Sequence, residues 1–163
     1  MNNLKKIYIA SPLGFSEAGR FFLYEKLVPL FIKHQLQVID PWALTSSGLI
    51  NRAAALPSGE ERTAAWRELN TIIARNNEEG IIRADGMFAV LDGTDVDSGT
   101  AAEIGFAAAL GKPVTAYRGD FRLAGDNEGS LVNLQVAWFI EKSGGKITTS
   151  LAGADDEIIR MFT

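Results

Sequence analysis

The stretch GMFAVLDGTDVDSGTAAEIGFAAALGKPVTAY, residues 86–117, decides the fold. Residues 86–92 form a nearly unbroken apolar run, the pattern of a strand covered on both faces. A loop with three aspartates, Asp92, Asp95 and Asp97, follows it, and Ser98 to Leu110 reads as a helix stopped by Gly111. Residues 112–117 then form another strand. Strand, helix and strand in succession are the signature of a parallel sheet covered by helices.

The same alternation continues outward in both directions. Residues 5–10 (KKIYIA) read as the first strand, ending at the turn cluster Ser11, Pro12 and Gly14. Residues 17–35 have helical period, with a kink or split expected at Pro29. Residues 36–40 are a second strand, and 42–60, rich in Ser, Gly and Pro, read as a long functional loop. A helix is expected from Glu60 to Asn76, and Gly80 weakens its continuation to Arg83. After a polar loop at 118–129, a helix at 130–142, a strand at 145–149 and a helix at 154–162 complete one domain, residues 1–163.

Composition narrows the chemistry. There are 16 Lys+Arg against 20 Asp+Glu, a formal charge of −4, so the basic surplus of a nucleic-acid binder is missing. The chain has no cysteine and one histidine, which excludes thiol nucleophiles, disulfides and zinc sites built on Cys or His clusters; no metal and no cofactor are expected. His34, beside Lys33 near a helix end, reads as a surface residue. The segment Gly14 to Arg20 lacks the Lys-Ser/Thr ending of a phosphate loop, and no G-x-G-x-x-G follows a strand. The short apolar run near the amino terminus falls below the length of a signal-peptide core or membrane span, so a soluble, cytoplasmic protein is expected.

Catalysis therefore falls to carboxylates, amides and hydroxyls. In an open parallel sheet a ligand binds outside the carboxyl ends of the strands, which is where the loop from Asp92 to Asp97 lies. Glu103, one turn into the next helix, stands among Ala101, Ala102, Ile104, Gly105 and Phe106, surroundings that solubility does not explain. The alternative is that Asp97 or Ser98 only caps the helix and that Glu103 is a solvated acid near a positive helix end. Leu13, Phe15 and Trp42 lie near strand ends and could stack on an aromatic ligand, although Trp42 could equally pack under its own loop.

These residues resemble the nucleoside 2-deoxyribosyltransferases. The likeness is carried by IYIASP with Tyr8, by Asn77 to Asp85, by DSGTAAEIGFAAALGKPV at 97–114 and by Asn133-Leu134. It implies an α/β, flavodoxin-like (Rossmann-like) three-layer sandwich with a five-stranded, mostly parallel sheet. It also implies a double displacement at the anomeric carbon of a 2'-deoxynucleoside. By this resemblance Glu103 is the nucleophile, Tyr8 holds its carboxylate, Asp97 bonds the sugar hydroxyls and Asn133 reaches the sugar from a neighbouring subunit. Asp92 and Gly99 are placed at the substrate. The implied partners are 2'-deoxynucleosides and free nucleobases, with neither nucleic acid nor membrane. The implied assembly is a dimer-based homo-oligomer with shared sites, tetramer and hexamer remaining open. The apolar run from Leu131 to Ile140 suggests a helix buried on more than one side. One departure stands out: where the family has an aspartate facing the base, this chain has Asn77, which has no titratable proton. Glu78, Glu79 or water would then protonate the leaving base. Two other readings stay open, a deoxynucleoside 5'-monophosphate N-glycosidase and a non-catalytic nucleoside-binding module.

Overall fold

The computed structural model describes residues 4–163, so the first three residues of the expected domain lie outside the described residues. Five parallel strands, β1 (Lys6–Ala10), β2 (Gln37–Ile39), β3 (Gly86–Val90), β4 (Val114–Tyr117) and β5 (Ile147–Thr148), form one sheet in the order β2-β1-β3-β4-β5. That order is the flavodoxin-like one, and the expected "mostly parallel" sheet is parallel throughout. Its strand order reverses between β1 and β3, and the crevice at this switch point is where such sheets bind ligands.

Alternation along the central strands divides the core into two layers. Tyr8, Ala10, Met87 and Ala89 face one side and pack with Ile81, Ile104, Val136 and Ile140 from helices α4 (Glu60–Arg83), α5 (Ser98–Ala109) and α6 (Leu134–Lys142). Ile7, Ile9, Phe88 and Val90 face the other and pack with Leu23, Leu27, Phe31, Ile158 and Phe162. The second layer is covered by α7 (Leu151–Phe162) and by the helical stretch running from α1 (Glu17–Phe22) through a π turn (Leu23–Leu27) into α2 (Val28–Lys33). The π turn ends two residues before Pro29, whose ring would clash with the carbonyl four residues earlier in a regular helix.

Residues 42–60 are not a structureless loop. Ser47–Ala55 is a helix, α3, which packs on α4 through Ala53 and ends before Pro57, where Leu56 is extended as a residue preceding proline must be. Gly80 does not break α4 either. A Cβ there would lie 2.8 Å from Leu44 Cδ1 and 3.2 Å from Tyr8 Cε2, so the glycine lets the helix close onto β1. Helix α6 begins at Leu134 rather than 130, capped by Asn133, and α7 begins at Leu151 rather than 154, capped by Ser150. His34 is half-buried and bonds Asp155 of α7 at 2.7 Å, tying α2 to α7 rather than standing free in solvent.

The carboxyl edge of the sheet is braced by Arg118, just after β4 and 2% exposed. Its guanidinium donates to the carbonyls of Leu91, Gly93 and Arg122, and no carboxylate pairs with it among the described residues.

Candidate active site

Glu103 is the sixth residue of α5, in its second turn, where the helix dipole has largely faded. The Tyr8 hydroxyl, on β1 and fully buried, donates to Glu103 Oε1 at 2.7 Å. Burial pushes the Glu103 carboxyl above the usual glutamate value; the Tyr8 hydrogen bond pulls it down, and the negative charge of Asp97 adds to the rise. The net direction is upward, because burial outweighs the Tyr8 hydrogen bond. Burial, and then the charge of Glu103, push the Tyr8 hydroxyl well above the tyrosine range, so Tyr8 stays protonated and remains the donor.

Asp97 caps α5. Its Oδ2 accepts from Thr100 N at 2.9 Å and Thr100 Oγ1 at 3.1 Å, and neither bond engages Oδ1. Capping and ligand contact are thus compatible in one carboxylate.

Glu103 and Asp97 line a cavity of about 380 Å³ at the switch point, together with Asn77, Gly99, Phe15 and Trp42. Trp42 follows β2 in a short 3-10 turn, Pro41–Ala43, capped by Asp40. The indole is held on three sides: its Nε1 donates to the Ser11 carbonyl at 3.2 Å, the exposed Phe15 ring meets it edge-on at 4.6 Å, and it fills the space a side chain on Gly14 would need. Trp42 thus both packs on its own surroundings and faces the cavity. A second lobe of about 370 Å³ shares Asn77, Gly99 and Glu103 with the first and continues past Glu78 and Phe106.

Three expected residues stand elsewhere. Leu13 packs against the core layer under α1 and α2. Asp92 Oδ1 accepts from Gly119 N at 2.6 Å and Asp120 N at 2.9 Å, clasping the loops after β3 and β4. Asn133 caps its own helix, accepting from Gln135 N at 3.0 Å, and lines neither lobe. Asn70 and Ile73 of α4 do line the first lobe, and sequence reasoning passes over them. Their signal is the spacing 70, 73, 77, which puts all three on one helical face. Of the two candidate acids, Glu78 borders the second lobe and Glu79 borders neither. Among the described residues no group of three or more His, Cys, Asp or Glu is placed to hold a metal ion, and no helix is long and apolar enough to cross a membrane.

A flavodoxin-like parallel sheet thus carries a tyrosine-held carboxylate, a capping carboxylate and two aromatic rings around one crevice, which places the protein in the α/β class with its cavity at the carboxyl edge of the sheet. Residues 7–135 match the family model for nucleoside 2-deoxyribosyltransferase, and the chain belongs to that family. No curated protein matches the chain. Among solved structures it is similar to a conserved protein from Enterococcus faecalis, at 24% identity and a TM-score of 0.69, over 97% of this chain and 99% of that one. It is also similar to a 2-deoxyribosyltransferase from Leishmania mexicana, at 23% identity and 0.68, over 98% and 99%. A third likeness is to a 2-deoxyribosyltransferase from Bacillus psychrosaccharolyticus, at 25% identity and 0.62, over 93% and 90%.

Proposed function

We propose that the protein transfers a 2-deoxyribosyl group between nucleobases by double displacement, through an ester on Glu103. The observation that carries this reading is the 2.7 Å bond from Tyr8 to Glu103 at the wall of a cavity that Asp97 also lines. Family membership supplies the coarser statement, an enzyme family acting on nucleosides and nucleobases.

In the first step Glu103 attacks C1' while the glycosidic bond breaks, and its electrons leave with the base, which takes up one proton. A carboxylate nucleophile suits this oxocarbenium-like transition state, and 2-deoxyribose reaches it more readily for lack of an electron-withdrawing 2'-hydroxyl. In the second step a ring nitrogen of the incoming base attacks C1', gives its N–H proton to solvent in balance with the one the departing base took from it, and frees the Glu103 carboxylate, restoring the original configuration. Tyr8 orients Glu103 throughout. Asp97 accepts from a sugar hydroxyl. The residues in these roles need no metal or cofactor.

A monophosphate glycosidase would use the same nucleophile with water as acceptor. Asp97 disfavours it, because two like charges ~4 Å apart cost about 4 kcal/mol at an effective dielectric of ~20. A homo-oligomer, dimer-based and with Asn133 reaching a neighbouring site, also belongs to this reading, as does a cytoplasmic location. It draws support from α6, whose Val136 and Ile140 are buried while Leu134 and Trp138 stand 54% and 55% exposed. One apolar face of that helix is thus uncovered within the single chain.

Incubation with deoxyinosine and free adenine tests the reading. Deoxyadenosine should form, and a 2'-fluoro-arabinosyl nucleoside should leave its mass adduct on Glu103. Release of base from deoxyadenosine monophosphate in preference to deoxyadenosine would establish the glycosidase instead, and no reaction with either would leave a binding module.

A further inference from the structure

The indole of Trp42 lines the first lobe from a turn of only three residues, Pro41–Ala43. Asp40 holds that turn. Its Oδ1 accepts from Trp42 N at 3.0 Å, and its Oδ2 accepts from the Tyr24 hydroxyl at 2.7 Å. Both carboxylate oxygens are thus engaged, one by the backbone of Trp42 itself and one by the helical stretch between α1 and α2.

Tyr24 belongs to the π turn Leu23–Leu27, a rare turn type found often at functional sites. Leu23 and Leu27 of that turn are buried in the core layer, while Tyr24 is half-exposed and leads away from it to Asp40. Burial, then the bond to Asp40 and its charge, push the Tyr24 hydroxyl up to about 12 against a smaller opposing effect of Arg20, so Tyr24 stays a donor. Four residues earlier, Arg20 Nη1 donates to the Gly14 carbonyl at 2.9 Å, and Gly14 is the residue against whose bare Cα the indole lies. Two side chains of one helical stretch therefore fix the two backbone segments around Trp42. Arg20 holds the segment against the ring, and Tyr24 holds the one that bears it. Neither side chain lines either lobe.

We propose that Tyr24, acting through Asp40, is a positioning residue for Trp42 and sets how firmly the first lobe grips an aromatic base. The identity of the ligand as a base rests on the deoxyribosyl-transfer reading above; the hold on Trp42 does not. A ring carried on a short turn loses freedom when a ligand stacks on it, and fixing the turn beforehand removes that cost from binding. A hydrogen bond to a carboxylate suits the task, being stronger than one between neutral groups. Stacking on the base takes no part in the attack at C1', so loosening Trp42 should weaken binding and leave the chemical step alone. The Asp40 charge also helps to keep Tyr8 protonated, so substituting Asp40 would disturb two places at once. Tyr24→Phe removes one hydroxyl and leaves that charge in place.

The test is a double-mutant cycle on KM and kcat for deoxyinosine with adenine as acceptor. Tyr24→Phe should raise KM about threefold to tenfold with kcat nearly constant. In a Trp42→Leu background, or Trp42→Met if leucine does not fold, the same change should have no further effect on KM. In protein carrying Trp66→Phe and Trp138→Phe, Trp42 is the sole tryptophan, and its emission anisotropy should fall on Tyr24→Phe. An unchanged KM, an equal rise in both backgrounds, a fall in kcat at constant KM, or an unchanged anisotropy would overturn the assignment. If no base exchange occurs, the transfer reading fails. Calorimetric affinities for free adenine then replace KM in the cycle, and if adenine does not bind, the grip on a base fails with it while the anisotropy still decides whether Tyr24 holds Trp42.

Discussion

The Tyr8 hydroxyl and the Glu103 carboxylate meet at 2.7 Å across the seam between β1 and α5, and the bond opposes the burial that raises the Glu103 pKa. A nucleophilic carboxylate must be ionised, so the acidic limb of kcat/KM should lie above the ordinary glutamate value. Tyr8→Phe removes the influence that lowers this pKa. The limb should move further up, with activity falling more at pH 6 than at pH 8, as a pH–rate profile of both proteins will show.

The raised pKa also fixes a direction for stability. Folded protein holds the Glu103 proton more tightly than unfolded chain does, so stability is lost as pH rises from the ordinary glutamate value through the raised one. Glu103→Gln cannot ionise and escapes that loss. Its melting temperature should exceed that of the unmodified protein at pH 7, with the difference closing near pH 4, while exchange falls by about 10⁴-fold or more. Thermal scans at both pH values, alongside activity, check the pair of outcomes.

Asp97 caps α5 and, in the proposed reaction, accepts from a sugar hydroxyl, two duties that substitution can separate. Asp97→Ser keeps a capping side chain on α5, whereas Asp97→Ala loses about 1 kcal/mol of helix capping. The serine variant should melt close to the unmodified protein yet lose activity on deoxynucleosides, and it should gain relative activity on monophosphates. Steady-state rates on both substrates decide this.

Gly14→Ala should act through Trp42. Its Cβ would lie 2.1 Å from the indole carbons, so the ring must shift, at a cost of about 1–3 kcal/mol. KM for nucleosides should rise several-fold with a smaller change in kcat, and Trp42 fluorescence should change.

The proposed sharing of sites calls for a complementation test. Glu103→Ala and Asn133→Ala, each inactive alone, should recover a fraction of activity when unfolded and refolded together. Asn133→Ala by itself should also lose about 1 kcal/mol of stability as a helix cap. Absence of recovery would return Asn133 to that capping duty alone.

The strands and the loop bearing Asp97 are legible in the sequence because buried parallel strands leave unbroken apolar runs such as residues 86–90, all of them buried. Glu103 is legible for the opposite reason, a charge among alanines. What hides is set by tertiary context. Helix α3 is obscured by its own flanks, Ser46 and Pro57, and its cause is the face of α4 on which Ala53 rests. Gly80 has the look of a helix breaker until Tyr8 and Leu44 are seen filling the space beside it. The direction of the Glu103 shift depends on burial, to which helix position gives no guide. Leu13 and Asp92 lie at the correct edge of the sheet, but position along a loop does not tell which way a side chain turns.

The Arg118 clasp has a consequence for how freely this edge of the molecule can vary. Its three carbonyl partners, on Leu91, Gly93 and Arg122, are main-chain atoms that every residue type supplies. The side chain at position 122 can therefore be exchanged without undoing the clasp, whereas Leu91 is held by its own place in the core and the arginine itself has no substitute with the same planar fork. One donor thus underwrites the loop leading to Asp97 and on to Glu103 through bonds that do not depend on the side chains of the residues it holds.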